Sequence, residues 1–487
     1  MVSVDIEKDW NHLYIDGERR TPDRETIEVE NPATREVIAE VPAGTAGDVD
    51  DAFAAAVEAQ REWRNRPPQE RAEVIQSVLH ELHECEDEFA ELLVREAGST
   101  QLKAHVELEV LASGMLAETA SFPTRSQGTK PESVIPGKEN EVRREPAGVV
   151  GIISPWNVPF HLSMRAVAPA IALGNAVVLK PAEETSISGG LAIAELFEAA
   201  GLPEGLLNVV PGWGHEAGDA LASHPDVDVV SFTGSTAVGR EVAKNAVDNL
   251  ALPALELGGN NAHVVLEDAD LDRAVDAGVF GSFMHQGQIC ISINRHLVHE
   301  SLYDEYVERM VERAAALEVG NPVDPEVDIG PVIKEEQRDK MLEFVRESAN
   351  SGATVEIGGT ADGLFVEPTV LSGVSNEMPA ACNEHFGPIV PVIPFESTEE
   401  AIELANDTEM GLSGSVHGEL EHARSVAERI ETGMIHVNDQ PINDEPHVPF
   451  GGDKASGIGR YNGEEIIREF TKQKWISVQH DEREYPL

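Results

Sequence analysis

The stretch M-H-Q-G-Q-I-C-I-S-I, residues 284–293, holds Cys290 in an apolar setting shortly after Gly287. A cysteine thiolate is a soft nucleophile that can form a hydrolysable acyl intermediate. The neighbouring glycine would give a substrate or a cofactor access to it. A lone cysteine is, however, more often a small buried hydrophobic side chain. Taken alone, this stretch favours the buried filler and leaves the nucleophile as the alternative.

A second group with possible chemistry is Glu256, which lies between two leucines in LELGGN (255–260). A carboxyl group in apolar surroundings has a raised pKa, which suits a general base that works near neutral pH. A structural buried glutamate is the alternative, although an unpaired buried carboxylate is costly.

Two further stretches carry residue types that suit a dinucleotide. In VVLKPAEE (177–184), Lys180 can hydrogen-bond ribose hydroxyls, and Glu183 can accept from a 2′-hydroxyl while repelling a 2′-phosphate. In FTGSTAVG (232–239), Gly234 and Gly239 permit close backbone approach where helix-start N–H groups attract phosphate. The second stretch is not GxGxxG, so a plain strand-to-helix turn is the alternative there. For the first stretch, the alternative is a solvated loop of charged residues.

The elements that position these residues alternate between short apolar runs and helices. One series of predicted strands comprises AGVVGIIS (147–154), AVVLK (176–180), LLNVV (206–210) and DVVSF (228–232). A second series, from Ala262 to about residue 450, comprises AHVVL, RHLVH, ATVEIG, IVPVIPF, SGSVH and MIHVN. This alternation predicts right-handed βαβ units on parallel sheets, with ligands beyond the carboxyl ends of the strands.

Helices are predicted ahead of the first series, over residues 48–64 and about 67–96. Within the two series, the helical segments include 187–200, 236–249, 301–317 and 333–350. The last apolar run, KWISVQ (474–479), predicts a terminal strand without a nearby partner, which would pair elsewhere or on another subunit.

The charge balance is extreme, with 36 Lys and Arg against 88 Asp and Glu and a net charge of −52. Nucleic acid is excluded as a partner, because phosphate requires basic patches. The acidic residues are spread along a chain that is 41% hydrophobic, so a folded protein is favoured over a disordered one. The composition predicts a halophilic protein of a salt-rich cytoplasm, because salt screens such self-repulsion. An ordinary acidic cytosolic protein is the alternative.

Cysteine usage and hydropathy bear on the compartment. Cys85, Cys290 and Cys382 form no CxxC pair, which argues against a disulfide framework or a zinc ribbon and favours a reducing interior. No apolar run reaches the roughly 18 residues of a membrane span, and the N-terminus has no secretory pattern. A cytoplasmic location is therefore expected.

Seven separated motifs occur in a definite order along the chain. They are PWN (155–157), LKPAEE (179–184), FTGST (232–236), ELGG (256–259), GQIC (287–290), EHFGP (384–388) and PFGG..ASGIGR (449–460). In order and approximate spacing this set resembles the aldehyde dehydrogenase superfamily over nearly the whole chain. The resemblance implies that Cys290 is the nucleophile, that Asn157 stabilises the oxyanion and that Glu256 is the general base that activates water.

The resemblance also implies a nicotinamide cofactor, NAD in preference to NADP because of Glu183. The residues that match the family's cofactor contacts are Ile153, Ser154, Pro155, Trp156, Lys180, Glu183, Gly234, Ser235, Gly239, Leu257, Glu384 and Phe386. No cluster suggests a metal.

The fold implied is α/β, with a Rossmann-like cofactor domain, a second α/β catalytic domain and a small β oligomerisation flap. The expected boundaries are 1–122 with 147–258 for the first, 259–460 for the second, and 123–146 with 472–487 for the flap. The terminal strand would cross to another subunit of a homodimer or homotetramer.

The substrate class is a finer expectation. NVPFHLSMR (157–165) and GMIHVNDQPINDEPHVPFGG (433–452) resemble the branch of benzaldehyde, salicylaldehyde and vanillin dehydrogenases, which predicts an aromatic aldehyde. Val158, Arg165, Met284 and Phe450 would line its tunnel. Some aromatic-aldehyde members have a small residue in place of Glu183, so their cofactor tolerance does not transfer.

Other activities remain open at this stage. They are a broad-specificity aliphatic or semialdehyde dehydrogenase, a CoA-acylating relative and a non-catalytic relative. Glu256 argues against the CoA-acylating relative, which generally lacks the general base. The presence of the cysteine, the glutamate and the cofactor residues together argues against the non-catalytic one.

Overall fold

The computed structural model describes residues 4–486, and its largest sheet has eight strands. From edge to edge these are β2 (Glu18–Arg20), β1 (Leu13–Ile15), β8 (Leu207–Val209), β7 (Ala176–Lys180), β6 (Val149–Ile153), β9 (Val229–Thr233), β10 (Leu252–Glu256) and β22 (Gly457–Ile458). The strands from β8 to β10 are parallel, whereas β1, β2 and β22 join antiparallel at the edges. The first predicted strand series thus forms the centre of one Rossmann-like sheet.

The second sheet has seven strands and contains every run of the second predicted series. Its order is β13 (Thr354–Ile357), β16 (Thr369–Ser372), β17 (Ile389–Phe395), β12 (Ile293–His299), β11 (Asn261–Val265), β19 (Gly414–His417) and β20 (His436–Val437). All pairs are parallel except β13 with β16. The expected α/β class with parallel sheets is confirmed.

The remaining strands form two-stranded pairs. They are β3 (Thr26–Glu30) with β4 (Val37–Pro42), β5 (Lys138–Pro146) with β23 (Thr471–Gln479), β14 (Ala361–Asp362) with β15 (Phe365–Val366), and β18 (Met410–Gly411) with β21 (Asp453–Lys454). The terminal strand β23 therefore pairs within the described chain with a strand of the segment 123–146, which the sequence had grouped with it in the flap. Its partner β5 precedes it by more than 300 residues, and hydrophobic periodicity carries no signal for so distant a pairing.

The helices confirm the predicted segments, of which 67–96 and 187–200 are interrupted. The α-helices are α1 (Ala46–Trp63), α2 (Pro68–Glu84), α3 (Glu86–Glu96), α4 (Gln101–His105), α5 (Ser113–Thr119), α6 (Phe122–Arg125), α7 (Pro159–Ala172), α8 (Ala192–Ala199), α9 (Asp219–Ala222), α10 (Thr236–Asp248), α11 (Leu271–Phe283), α12 (Glu300–Ala315), α13 (Glu335–Asn350), α14 (Pro379–Cys382), α15 (Thr398–Asn406), α16 (Leu420–Ala427) and α17 (Gly463–Glu469). The segment 67–96 breaks at Cys85, and π-helical turns span Val106–Ala112, Ile187–Leu191 and Gly214–Gly218.

Helix α1 illustrates how local sequence sets an element. The Thr45 side chain accepts from the Asp48 N–H, and the Asp48 carboxylate accepts from the Thr45 N–H. This capping box satisfies two otherwise unpaired N–H groups at the helix start. Helix α7 behaves differently, because every one of its residues is buried. Packing rather than an amphipathic face therefore holds α7 in place, directly after the Asn157 loop.

The first sheet places several candidate residues at the carboxyl ends of its parallel strands. Ile153 pairs in register with Lys180, and Thr233 pairs with Glu256, so four neighbouring strands end side by side. These carboxyl ends are where parallel sheets bind ligands. Among residues 4–486, none of the helices combines the length and the apolar character that a membrane span requires.

Candidate active site

The loop that carries Cys290 has an unusual backbone. His285, Gln286 and Gly287 all have positive φ, a conformation that costs roughly 1–3 kcal/mol at a non-glycine residue. The Gln286 side chain holds the loop, since Nε2 donates to the carbonyls of Gly98 at 2.9 Å and Pro331 at 2.8 Å. A Cβ on Gly287 would lie 2.3 Å from the Gly387 carbonyl, so only glycine fits there.

Cys290 lies between two cavities. One, of about 180 Å³, is lined by residues from the carboxyl ends of the first sheet, and the other, of about 100 Å³, is largely apolar. Cys290, Asn157 and Leu162 line both of them. A reactive atom bound at Cys290 would thus be open to one molecule from each side.

The Cys290 thiol is protonated near neutral pH. Burial raises its pKa to about 12, and the carboxylates of Glu256 and Glu384 add to this, while the Arg165 guanidinium opposes it. The Cys290 carbonyl accepts from Asn261 Nδ2 at 2.8 Å, which fixes the backbone. Since the thiolate is the nucleophile, this cysteine requires a base.

Glu256, at the end of β10, is a base with a suitable pKa. It is buried, and neither carboxylate oxygen has a hydrogen-bond partner among residues 4–486. Burial raises the pKa of Glu256 to about 8, and Arg165 and Arg460 offset part of this rise. Glu256 and Cys290 line the same cavity, so the carboxyl group faces the space where the thiol reacts.

Asn157 is buried, and its Nδ2 donates to the Gln288 carbonyl at 2.8 Å. The amide is therefore held against the cysteine loop, two residues before Cys290. An amide N–H at this place suits an oxyanion that forms on a substrate attached to Cys290.

The cavity of about 180 Å³ unites most of the residues matched to cofactor contacts. Pro155, Trp156, Gly234, Ser235, Leu257, Glu384 and Phe386 line it together with the three candidate catalytic residues. Thr233, Gln337 and Lys340 line it as well, and sequence reasoning missed them. Thr233 lay inside a quoted motif, whereas Gln337 and Lys340 come from α13, which carried no signal.

Glu384 and Phe386 close one side of this cavity. The Phe386 ring packs edge-on to Trp156 at 5.5 Å between centroids, and Glu384 Oε1 accepts from the Gly259 N–H at 3.1 Å. Burial raises the pKa of Glu384 to about 7. A Cβ on Gly258 would lie 2.4 Å from Glu384 Oε2, so the Gly-Gly turn leaves room for this carboxylate.

The other matched residues lie outside that cavity, along the strand ends. Lys180 Nζ donates to Glu183 Oε1 at 3.1 Å, and the same oxygen accepts from the Gly214 N–H at 2.8 Å. Ile153 ends β6, and the Ser154 N–H donates to the Lys180 carbonyl. Gly239 packs against Leu257, where a Cβ would come within 2.3 Å of Cδ2.

These donors fit a dinucleotide. Ser235 caps α10, whose free N–H groups suit a phosphate, and the Lys180–Glu183 pair suits ribose hydroxyls. The fixed carboxylate of Glu183 opposes a 2′-phosphate at that place. The residues present therefore fit NAD better than NADP.

The cavity of about 100 Å³ contains all four residues predicted for the substrate tunnel, Val158, Arg165, Met284 and Phe450. Arg165 is buried, donates from Nη1 to Asp444 Oδ2 at 3.3 Å and lies 4.4 Å from the Phe450 ring centroid. Lys103, Glu107, His161 and Asp444 also line this cavity and were not among the predicted tunnel residues, although His161 and Asp444 lie in the two quoted stretches.

Three histidines of the second sheet and the other two cysteines are absent from the lining of both cavities. His263, His296 and His417 lie together in the second sheet, hydrogen-bonded to Ser415, Ser282 and a backbone carbonyl respectively. Cys85 is buried, and Cys382 is exposed on the rim of a wide cleft beside Glu384. Within residues 4–486, one group of possible metal ligands lies close together, namely Glu86, His105 and Glu109. Exposed acidic groups of this kind are common without a bound ion.

Comparisons with known proteins agree with this geometry. A family model described as "Aldehyde dehydrogenase family" matches residues 19–476. The chain is 48% identical to a benzaldehyde dehydrogenase of Bacillus subtilis, over 94% of this chain and 95% of the relative. It is 45% identical to a vanillin dehydrogenase of Corynebacterium glutamicum, over 92% and 93%. A crystal structure of betaine aldehyde dehydrogenase from Staphylococcus aureus in complex with NAD⁺ superposes with a TM-score of 0.95 at 33% identity, covering 98% and 96%.

Proposed function

Since the chain belongs to the aldehyde dehydrogenase family, and is thus an oxidoreductase acting on aldehydes, we propose that it oxidises aromatic aldehydes to carboxylic acids with NAD. The observation that carries the proposal is the position of Cys290 between two cavities, one of which also holds Glu256. The largely apolar lining of the other cavity and the relatives named for benzaldehyde and vanillin support an aromatic substrate.

The reaction begins with proton transfer from the thiol. Because the pKa of Cys290 is raised to about 12, its proton must leave to solvent water, and Glu256, with a pKa of about 8, assists by relaying that proton. Cys290 Sγ then bonds to the aldehyde carbon. The carbonyl oxygen becomes an oxyanion that accepts from Asn157 Nδ2 and the Cys290 N–H, and each such donor typically contributes about 3 kcal/mol.

Release of the acid needs a second proton transfer. A bound NAD would supply the hydride acceptor, so that the former aldehyde carbon would remain as an acyl group on Sγ. Glu256 then removes a proton from water, the hydroxide adds to the acyl carbon, the C–S bond breaks, and the proton on Glu256 passes to the Cys290 sulfur, while the original thiol proton has gone to solvent. The sum is one aldehyde, one water and one NAD converted to one acid, one NADH and one proton.

The domain organisation is part of the same proposal. Residues 1–122 with 147–258 form the cofactor domain, 259–460 form the catalytic domain, and 123–146 with 472–487 form the oligomerisation flap of a homodimer or homotetramer. The exposure of Trp475, at 66%, and of Val478 on the ribbon of β5 and β23 supports the flap.

The net charge of −52 supports a halophilic, cytoplasmic enzyme, whose melting temperature should rise between low and molar salt.

The test is kcat/KM with NAD at molar salt, for benzaldehyde and vanillin against short aliphatic aldehydes. We expect the aromatic substrates to be preferred, and NAD to exceed NADP because of Glu183. Cys290→Ala should lose all dehydrogenase turnover with every aldehyde. A clear aliphatic preference would overturn the aromatic proposal and leave a broad-specificity dehydrogenase, whereas turnover that requires CoA would overturn the hydrolytic mechanism.

A further inference from the structure

The loop that follows β7 carries both residues that suit the ribose hydroxyls of a dinucleotide. Lys180 ends the strand, and Glu183 begins a short turn that leads into the π-helical turn Ile187–Leu191 and then into α8. The Glu183 carboxylate opposes a 2′-phosphate only if it stays where that phosphate would lie. The position of the loop backbone is therefore part of cofactor recognition.

We propose that Glu96 is a positioning residue for the cofactor, whose carboxylate fixes the backbone of this loop and thereby sets the affinity for NAD and the discrimination against NADP. Glu96 acts through the loop and does not itself touch the cofactor. This role rests on the NAD-dependent function proposed above and deepens it, since it assigns the cofactor preference to a residue outside the site.

The first observation is that each carboxylate oxygen of Glu96 accepts from a different backbone N–H. Oε1 accepts from the Ile187 N–H at 2.8 Å, and Oε2 accepts from the Ser188 N–H at 2.8 Å. These groups begin the π-helical turn, and the first N–H groups of a helix lack partners within it. A carboxylate can accept from both at once, and its charge suits the positive end of a helix.

The second observation is that Glu96 is completely buried and has no cation beside it. Burial raises its pKa to about 7, and the hydrogen bonds from Ile187 and Ser188 oppose this rise. No charged side chain among residues 4–486 contributes to that pKa. Burial of such a group is costly unless hydrogen bonds compensate it. The two N–H groups of the loop therefore hold the carboxylate in place, and the carboxylate holds the loop.

The third observation is that Glu96 stands on a fixed support. It is the last residue of α3, whose Leu92 and Leu93 are completely buried. Two residues further along, the Gly98 carbonyl accepts from Gln286 Nε2, the side chain that holds the cysteine loop. The end of α3 thus contacts both the cofactor loop and the loop of Cys290, and a carboxylate on such a support fixes the groups that it binds.

The restraint reaches Glu183 through a short stretch of chain. Ser186 Oγ donates to the carbonyls of Ala182 at 3.2 Å and Glu183 at 3.1 Å, which closes the turn on itself. The two residues after Ser186 are those that Glu96 holds. Loss of these bonds should therefore loosen the backbone of the turn and leave Glu183 less able to pair with a 2′-hydroxyl or to oppose a 2′-phosphate.

The test is Glu96→Gln at pH 8.5, where the native carboxylate is ionised. The amide oxygen can accept from one N–H, but the amide NH₂ faces the other, so one hydrogen bond is lost. In calorimetric titration with NAD and without aldehyde, we expect the Kd to rise about tenfold, which is typical for one hydrogen bond to a charged group.

Steady-state rates with benzaldehyde separate positioning of the cofactor from general damage. In Glu96→Gln, kcat at saturating NAD should stay close to its original value, while the ratio of kcat/KM for NAD to that for NADP should fall towards one. Glu96→Asp keeps the charge on a shorter side chain, and its Kd and ratio should lie between those of Glu96→Gln and the unaltered protein.

The matched control is Glu400→Gln, the same change at a glutamate whose Oε2 also accepts a backbone N–H, that of Glu396 at 2.7 Å, but which lines neither cavity. Its Kd for NAD and its cofactor ratio should keep their original values. An unchanged Kd for NAD in Glu96→Gln, or a loss of kcat with an unchanged cofactor ratio, would overturn the role of Glu96.

Partial folding of a variant does not blur these results, because the cofactor ratio is independent of the folded fraction and the titration gives the number of binding sites beside the Kd. If no aromatic aldehyde is oxidised, the proposed function fails, and the titration with NAD still decides the role of Glu96. If aromatic aldehydes are oxidised while Glu96→Gln binds NAD as tightly as the unaltered protein, only this inference fails.

Discussion

Glu256 and Asp444 are both buried carboxyl groups at the site, yet their pKa values move in opposite directions. Burial raises the pKa of Glu256 to about 8, and no donor among residues 4–486 pairs with its oxygens to offset this. Asp444 is as deeply enclosed, but His161, Arg165 and Asn462 hold its pKa at about 2. The partners of a buried carboxylate, rather than its burial, decide whether it exchanges protons or holds a fixed charge.

This difference assigns different work to the two regions. The unpaired carboxyl group of Glu256 lies on the side of Cys290 where the cofactor cavity is, and it can take up and release protons near neutral pH. The paired Asp444 lies on the substrate side and holds the ring of His161 and the guanidinium of Arg165 in place. Glu256→Gln and Asp444→Asn remove one carboxylate each, and the following experiments compare their effects on turnover and stability.

The largest expected effect is on turnover in Glu256→Gln. An amide cannot remove a proton from water, so release of the acid should slow by about 10²- to 10⁴-fold, the usual contribution of a general base. Stopped-flow detection of NADH should show a first-turnover burst that exceeds the steady-state rate, because hydride transfer is less affected. Asp444→Asn serves as the control and should show no such burst. Equal loss of the burst and of the steady state in Glu256→Gln would contradict the role in acid release.

The next effect concerns the free energy of unfolding. Asp444→Asn leaves the charge of Arg165 without its counter-ion, and we expect a loss of about 3 kcal/mol at pH 7 in urea unfolding. Glu256→Gln should act oppositely at alkaline pH. Folded Glu256 binds its proton more tightly than the unfolded chain, so its contribution is full below about 4.5 and is lost as the pH rises through about 8. Glu256→Gln should therefore be more stable than the unaltered protein at pH 9, and a loss there would contradict the unpaired state.

The smallest effect is the pH dependence of turnover. Because Glu256 acts as a base when ionised, kcat should rise about tenfold per pH unit below its pKa of about 8 and level off above it. The profile of Asp444→Asn should keep the same shape at a lower level. A profile that is flat between pH 6 and 9 in the unaltered protein would show that no group with this pKa limits the reaction.

The sequence predicted the parts of the molecule that depend on local pattern. Short apolar runs identified the central strands of both sheets, and the motifs identified Cys290, Glu256 and the strand ends that lie beside them. The resemblance grouped the segments of β5 and β23 in one flap, but their register escaped prediction, because register between strands so far apart in the chain depends on the assembled fold. The meeting of Lys103, His161 and Asp444 at the smaller cavity also escaped prediction, since these residues come from three separate segments and meet only after folding.

The positive-φ run at His285–Gly287 was also beyond the sequence. Gly287 alone suggested access to Cys290, but the left-handed conformation of Gln286 beside it is held by contacts of its side chain with Gly98 and Pro331. Such strain persists only when the surroundings fix it. The position of the Cys290 thiol is therefore a property of the whole fold and not of its own loop.

The central claim is that the acyl group forms on Cys290 and that Glu256 releases it. The most direct test is the mass of Glu256→Gln after rapid acid quenching with NAD and an aromatic aldehyde, followed by peptide mapping. We predict a mass increase equal to the acyl group in place of one hydrogen, located at Cys290 and absent when NAD is omitted. An adduct on Cys85 or Cys382, or no adduct while NADH is still formed, would contradict it.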